Sequence, residues 1–248
     1  MDFASQIKQI EEQAAALRAA AVAAGPAAPV PTCPEWTVEQ LVAHIGRVHG
    51  WAVRALGSDP DAGPPRRPDT PGSWDALLSW WDDTVATLAT DLRATGPDGP
   101  AWVFDRSVPS TAAFWARRQA HETAIHRLDA EHAHAGTDEP SAVPSLVFDS
   151  VLAADGIAEV LEVLVPRRLA REPSAAEGTV LFHAADAGRA WRVRFVPGAA
   201  PEVGPADDIA ADASVVGTAD AVYRAAWHRP STAVVTGDRA LVEALNTP

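Results

Sequence analysis

The sequence between residues 117 and 129, RRQAHETAIHRLD, decides the fold of the N-terminal half. It is rich in good helix formers and lacks proline and glycine, which predicts the middle of a helix over about residues 110–134. At about 100° per residue, Glu122 and His126 lie about 40° apart on one face, one turn from each other. His121 and His126 lie about 140° apart and cannot share a small ion. The stretch therefore differs from the His-Glu-x-x-His motif of zinc proteases, whose histidines are four residues apart.

A metal site that uses Glu122 and His126 needs a third ligand from another helix, and His44 is the candidate. His44 lies on the apolar stripe of a helix that begins near Thr37, where the sequence Thr-Val-Glu-Gln is a capping-box pattern. A histidine on such a stripe can also be a hydrogen-bonded core residue, and this stretch alone leaves both interpretations open. His49 lies about 140° from His44, so we expect it at the surface or rim.

Apolar stripes predict three further amphipathic helices before this one. They cover residues 2–24, a segment from Thr37 and a segment from Ser73. Four such helices suggest a four-helix bundle, and bundles place metal sites between facing helices. In the alternative interpretation, this face of the helix is solvent-exposed, and Arg118 and Glu122, four residues apart, form a surface ion pair.

In the C-terminal half, the sequence alternates between strand-like and helical patterns of apolar residues. Residues 178–184 and 189–196 alternate between apolar and polar side chains around a turn at Asp186-Ala187-Gly188, which predicts a β-hairpin. Together, the patterns of the C-terminal half predict a small α+β domain with an antiparallel sheet. Its other predicted elements are a helix over 144–165 that includes Leu146, a strand within 206–216, a helix over 219–227, a strand over 232–236 and a helix over 238–245.

Composition excludes several function classes. Of the 248 residues, 47% are apolar and 21% charged, as in ordinary globular proteins. The net charge of −13 argues against nonspecific binding of nucleic acid. No run of about 18 apolar residues predicts a membrane span. Cys33 is the only cysteine, so no intrachain disulfide forms, and we interpret it as a small buried hydrophobic residue. With no signal-peptide pattern at the N-terminus, we expect a cytoplasmic protein.

Three blocks of the sequence resemble a known family. Residues 31–38 (PTCPEWTV), 41–49 (LVAHIGRVH) and 118–129 (RQAHETAIHRLD) are similar to the signature blocks of the mycothiol-dependent maleylpyruvate isomerase family, which is actinobacterial. The resemblance implies an α+β protein with two domains. Residues 1–140 would form a DinB-like four-helix metal-binding bundle, and residues 141–248 the family's smaller C-terminal domain, an α+β domain with an antiparallel sheet.

The resemblance also implies site residues. The family's metal triad matches His44, Glu122 and His126, the set that helical geometry selects. The family implies zinc, although two histidines and a carboxylate can also hold Fe(II). Asp129 is either an acceptor for a ligand imidazole or a surface residue. Arg229 resembles a functional arginine of the family, which would bind a substrate carboxylate or the thiol, and a structural ion pair is the alternative.

The implied function is that of a metal- and mycothiol-dependent isomerase or S-transferase. Mycothiol would be the thiol cosubstrate, and its thiolate would add to a small electrophile or carboxylate such as a cis-enoyl acid. Two alternatives stay open: a metal-dependent hydrolase or lyase on the same bundle, and a non-catalytic protein that binds a metal or ligand. We expect no nucleic-acid or membrane partner, and a monomer or small homo-oligomer.

Overall fold

The computed structural model describes residues 1–144, 147–206 and 208–245. The chain divides into two compact units, Met1–Asp138 and Glu139–Pro248. Within the described residues, no helix is both long and apolar enough to cross a lipid bilayer.

Four helices build the N-terminal unit, as the apolar stripes predict. Helix α1 packs against α3 and α4, and α2 also packs against both. Each begins within a few residues of its predicted start, and α1 and α4 also end within a few residues of their predicted ends. The helices are α1 (Phe3–Ala24), α2 (Val38–Leu56), α3 (Trp74–Thr95) and α4 (Ala112–Ala135).

The start of α2 has the predicted capping box. The backbone N–H of Gln40 donates to Thr37 Oγ1 at 3.4 Å, and the backbone N–H of Thr37 donates to Gln40 Oε1 at 2.8 Å. These two bonds satisfy donors that the first turn of a helix otherwise leaves unpaired. The box therefore fixes where α2 starts, and with it the register of His44.

Helix α4 runs through the core of this unit and is buried along most of its length. Alanines at 112, 116 and 120 belong to one apolar cluster with Ile7 and Ile10 of α1, so the two helices meet through small side chains. Burying polar groups without partners is costly, so the many buried polar residues of α4 point to a site. They are Arg118, Gln119, His121, Thr123, His126, Asp129 and His132.

The first α-helix of the C-terminal unit begins later than the sequence predicts, after a short 3-10 helix at Pro140–Ala142. The helix predicted over 144–165 starts at Ser150, because the Asp149 side chain accepts from the N–H groups of Val151 and Leu152 and caps it. Helix α5 (Ser150–Glu159) then continues through a π-helical turn, Val160–Leu164, into α6 (Val165–Arg171). Leu146, which the prediction included, lies outside the described residues.

Beyond α6, the described part of this unit contains two helices and a five-stranded sheet. Numbered along the chain, the strands lie in the order β3-β2-β1-β4-β5. The predicted hairpin is confirmed as β1 and β2, and the short strand β3 was not predicted. The strand predicted within 206–216 is β4, which begins at Ala213, and Asp207 lies outside the described residues. The elements are β1 (Gly178–Ala184), β2 (Arg189–Phe195), β3 (Glu202–Pro205), β4 (Ala213–Gly217), α7 (Ala219–Ala226), β5 (Val234–Gly237) and α8 (Arg239–Glu243).

The sheet is mixed, whereas the sequence predicted an antiparallel sheet. Strand β2 pairs antiparallel with β1 and β3, and β5 pairs antiparallel with β4. Strands β1 and β4 are parallel. The reason is the connection from β3: the chain leaves one edge of the sheet and returns on the far side of β1, in the same direction as β1. The α+β class is confirmed, and the parallel pair corrects the predicted pairing.

Candidate metal centre

Helices α2 and α4 bring the three predicted metal ligands together. His44 Nε2 lies 3.2 Å from Glu122 Oε1, and His126 Nε2 lies 3.5 Å from the same oxygen. One donor atom from each residue can be chosen so that all three lie within 4.8 Å of one another. The spacing of Glu122 and His126 follows from one turn of α4, and His44 faces them from α2.

Two of these separations match those between the ligands of a tetrahedral zinc ion, and the 4.8 Å limit for the three atoms is wider. Zinc bonds of about 2.0–2.1 Å in a tetrahedral arrangement place ligand atoms about 3.3 Å apart. The two separations that involve Glu122 Oε1 lie on either side of that value. Two imidazoles and one carboxylate are also a ligand set of catalytic zinc sites, which keep a position open for a guest.

Arg118 holds the second oxygen of Glu122. Its Nη2 donates to Glu122 Oε2 at 2.7 Å, and Arg118 is only 4% exposed, so the pair is not the wet surface ion pair of the alternative interpretation. Burial raises the pKa of Glu122, but Arg118 and the hydrogen bonds from His126 and His44 lower it more. The net pKa is well below the ordinary value. Glu122 is therefore a carboxylate with Oε1 directed at the histidines.

Asp129 holds the other ring nitrogen of His126. His126 Nδ1 lies 2.8 Å from Asp129 Oδ2, and Asp129 is fully buried, which excludes the surface role. Burial lowers the pKa of His126, but hydrogen bonds to Asp129 and Glu122 raise it more, to about 9. With Nδ1 bonded to Asp129, Nε2 is the nitrogen that faces Glu122.

The loop from Pro29 to Thr37 supplies two more donors to Asp129. Thr32 Oγ1 donates to Asp129 Oδ1 at 2.6 Å, and Cys33 Sγ lies 3.6 Å from Asp129 Oδ2. Cys33 is half-buried, not buried as expected, and its thiol is a weak donor to this carboxylate. Sequence reasoning assigned no role to Thr32, although it lies in the first of the three family-like blocks.

Trp36 forms an aromatic wall beside the two histidines. Its ring centroid lies 4.8 Å from that of His44 and 5.9 Å from that of His126. Trp36 is half-buried and comes from the loop that also carries Thr32. The indole therefore covers one side of both imidazoles with apolar surface.

The prediction that His49 lies at the surface or rim is wrong. His49 is fully buried because helix α2 packs against both α3 and α4, so two faces of that helix lie in the core. His49 Nε2 lies 2.9 Å from Thr123 Oγ1, whose own proton goes to the Gln119 carbonyl at 2.6 Å. The ring nitrogen is therefore the donor. Burial lowers the pKa of His49 to about 3; the Glu122 carboxylate opposes this shift.

Arg229 lies in the C-terminal unit, just after α7. Its backbone N–H donates to the Arg224 carbonyl at 2.8 Å, and its Nη1 donates to the Trp227 carbonyl at 3.0 Å. The preceding residue, His228, has a positive φ of 53°, which is strained for a residue with a side chain. Arg229 is half-buried, and its binding role stays a prediction.

The two units match two family models. Residues 7–131 match the model described as the mycothiol maleylpyruvate isomerase N-terminal domain, and residues 151–244 match that family's C-terminal domain. The chain belongs to the mycothiol-dependent maleylpyruvate isomerase family. The resemblance of the three sequence blocks is thereby confirmed.

Solved structures support the fold of this isomerase-family member. A crystal structure of a histidine-to-alanine mutant of the mycothiol-dependent maleylpyruvate isomerase superposes with a TM-score of 0.59 at 16% identity, over 95% of this chain and 93% of that one. A crystal structure of the mycothiol-dependent maleylpyruvate isomerase gives a TM-score of 0.56 at 15% identity, with the same coverage. No curated protein sequence gives a significant match. At such identity the likeness concerns the fold alone.

Proposed function

We propose that the protein is a metal- and mycothiol-dependent isomerase or S-transferase acting on a small electrophile. Family membership supports mycothiol-dependent isomerase chemistry. The observation that carries the metal dependence is the convergence of His44, Glu122 and His126 on one point of the N-terminal unit. Zinc is the proposed ion, because the donor types and separations fit it.

The chain's own residues would prepare this site for a cation. Arg118 keeps Glu122 charged, and Asp129 takes the Nδ1 side of His126, so Glu122 Oε1 and His126 Nε2 face each other at 3.5 Å. Both would bind the cation once His126 gives up its Nε2 proton. A divalent cation held there would favour the thiolate form of a bound thiol, or would polarise a substrate oxygen. Trp36 excludes water from one side of the two imidazoles.

Thiol addition accounts for isomerisation without any redox partner. The mycothiol sulfur forms a bond to one carbon of a cis double bond conjugated to a carbonyl, and the electron pair moves to the carbonyl oxygen. The former double bond then rotates as a single bond. Reversal breaks the carbon–sulfur bond, releases the thiol and leaves the trans isomer. If a proton instead traps the adduct, the same site is an S-transferase.

We propose that Arg229 binds a substrate carboxylate through its planar guanidinium.

The experiment combines metal content with thiol dependence. Elemental analysis of the purified protein is expected to give one zinc per chain, and His44→Ala or Glu122→Ala to remove it. His134→Ala, an exposed histidine of α4, is the matched control and should keep the metal. Maleylpyruvate and other cis-enoyl acids are then followed by NMR with and without mycothiol, and mass spectrometry detects adducts. Turnover that needs no thiol contradicts the proposal and favours a hydrolase or lyase.

A further inference from the structure

The loop Pro29–Thr37, between α1 and α2, has a backbone conformation fixed by its own hydrogen bonds. Pro29 and Thr37 form a bridge at its base. Inside it, Val30 N–H donates to the Trp36 carbonyl at 2.9 Å, and Trp36 N–H donates to the Cys33 carbonyl at 2.8 Å. Because these bonds close the loop on itself, its side chains are held at set positions beside α4.

Asp129 is the point at which this loop meets the metal centre. Thr32 Oγ1 donates to one oxygen of the carboxylate at 2.6 Å, and His126 Nδ1 donates to the other at 2.8 Å. Asp129 is fully buried, so water does not compete for either oxygen. A carboxylate with a strong donor on each oxygen cannot rotate freely, and the imidazole that it binds is fixed in direction.

We infer that the Pro29–Thr37 loop is a positioning element of the metal centre, in which Thr32 fixes Asp129 and Asp129 orients the His126 ring so that Nε2 faces Glu122 and His44. The inference rests on the proposed function for the metal itself. It adds that the loop residues before α2, which do not bind the metal themselves, set the affinity of the site for the metal. A purely structural role for the loop would affect stability and leave the binding of metal by the folded protein unchanged.

Cobalt(II) tests the inference, because its absorption spectrum reports ligand geometry. Purified full-length protein is freed of metal and titrated with Co(II). Asp129→Asn is expected to lower cobalt affinity about 10- to 100-fold and to change the visible spectrum. Thr32→Val is expected to give a smaller loss, and Thr32→Ser, which keeps the hydroxyl, to restore affinity close to that of the wild type.

Two matched variants separate positioning from general loss of stability. Asp105→Asn alters a carboxylate of the same unit that is 9% exposed and accepts from Ser107. Thr84→Val removes a hydroxyl that is also 9% exposed and donates to the Trp80 carbonyl. Both are expected to keep the cobalt affinity and spectrum of the wild type. If Asp129→Asn or Thr32→Val also keeps them, the inference is overturned.

A second readout needs no metal. In the metal-free protein, proton NMR is expected to show a downfield, slowly exchanging Nδ1 proton of His126, which Asp129→Asn removes and Thr32→Val shifts. A wild type that binds no cobalt contradicts the proposed function, while this proton still reports whether the loop orients the ring. A wild type without the proton overturns the positioning role. If Asp129→Asn does not fold, the Thr32→Val and Thr32→Ser pair decides both readouts.

Discussion

At the scale of single residues, a buried charge of α4 is stabilised by a charged partner on the same helix. Arg118 and Glu122 show this within one turn of α4, where the guanidinium takes one carboxylate oxygen and leaves the other to the histidines. The arrangement keeps the carboxylate ionised despite its burial. Removing the guanidinium of Arg118 would leave the Glu122 carboxylate in the same place without its main charged partner.

Arg118→Met is therefore expected to weaken both folding and metal binding. Breaking a buried ion pair by removing one partner costs about 3–5 kcal/mol, and the free energy of unfolding measured with urea should fall by that order. The pKa of Glu122 should rise at the same time. Lys8→Met is the control, since Lys8 and Glu12 form an exposed pair of the same spacing. An Arg118→Met protein as stable as the Lys8→Met protein would contradict the prediction.

His49 predicts a dependence of stability on acid. Its pKa is about 3 in the folded protein and about 6.5 when unfolded, because burial disfavours the charged ring. The unfolded state thus binds more protons below about pH 6.5, and stability contributed by the neutral ring is lost as the pH falls towards 3. The slope is up to about 1.4 kcal/mol per pH unit.

His49→Gln tests this, since an amide can donate to Thr123 but does not titrate. Urea unfolding of the metal-free protein at several pH values between about 6 and 4 should give a shallower decline for the variant than for the wild type. Equal slopes for the wild type and His49→Gln would rule out a protonation penalty at this ring.

Sequence reasoning found the residues whose relation is local. Glu122 and His126 are one helical turn apart, so periodicity alone places them together. His44 was chosen among other histidines by its stripe and by the family resemblance. The tertiary partners of Asp129 and the burial of His49 depend on how separate helices pack, which periodicity within one helix does not contain. The metal-binding role of the three residues is still a prediction.

At the scale of elements, the helices were predictable and the sheet was only partly so. Capping at Thr37 and the run without breaks around α4 are local signals, and both helices form where they predict. Strand β3 is four residues long and contains a glycine and a proline, so it carries little alternation. The parallel pairing of β1 with β4 depends on where the chain returns to the sheet after β3, which no local pattern specifies.

Gly237 at the end of β5 is expected to tolerate no side chain. Its φ is +76°, and an added Cβ would lie 2.1 Å from the Asp212 carbonyl oxygen, so Gly237→Ala adds both strain and a clash with backbone. We expect the free energy of unfolding of the C-terminal unit to fall by more than about 2 kcal/mol.

Gly204→Ala in β3 is the matched control for this substitution. Among the described residues other than Gly204 and its two chain neighbours, no heavy atom lies within 4 Å of the Cβ that it would add, and its φ is not in the left-handed region. Calorimetry of both variants should show a lower unfolding temperature for Gly237→Ala alone. Similar unfolding temperatures for the two variants would mean that β4 moves to accept the methyl group.

At the scale of the whole molecule, the chain is two compact units, and all three proposed ligands belong to the first. Metal should therefore stabilise the N-terminal unit selectively. An ion present at 100 times its dissociation constant adds about 2.7 kcal/mol to the unit that binds it. Because unfolding of two units need not be a single transition, each has to be followed separately.

Calorimetry with and without zinc provides that measurement. Zinc is expected to raise the unfolding temperature of one transition, and a chelator to reverse the rise. His126→Ala should abolish the effect, whereas Gly237→Ala should lower the other transition and leave the zinc response intact. Equal zinc-induced shifts of both transitions would contradict selective binding to the N-terminal unit.

The metal centre joins parts of the chain that are far apart in sequence. His44 and Glu122 are separated by 78 residues, and Thr32 and Asp129 by 97. During synthesis, a ribosome that has not yet produced α4 has made only one of the three ligands. Capture of the proposed ion would therefore have to wait until the last helix of the bundle leaves the exit tunnel and docks. Loading of the ion would then mark the moment at which this half of the protein has finished folding.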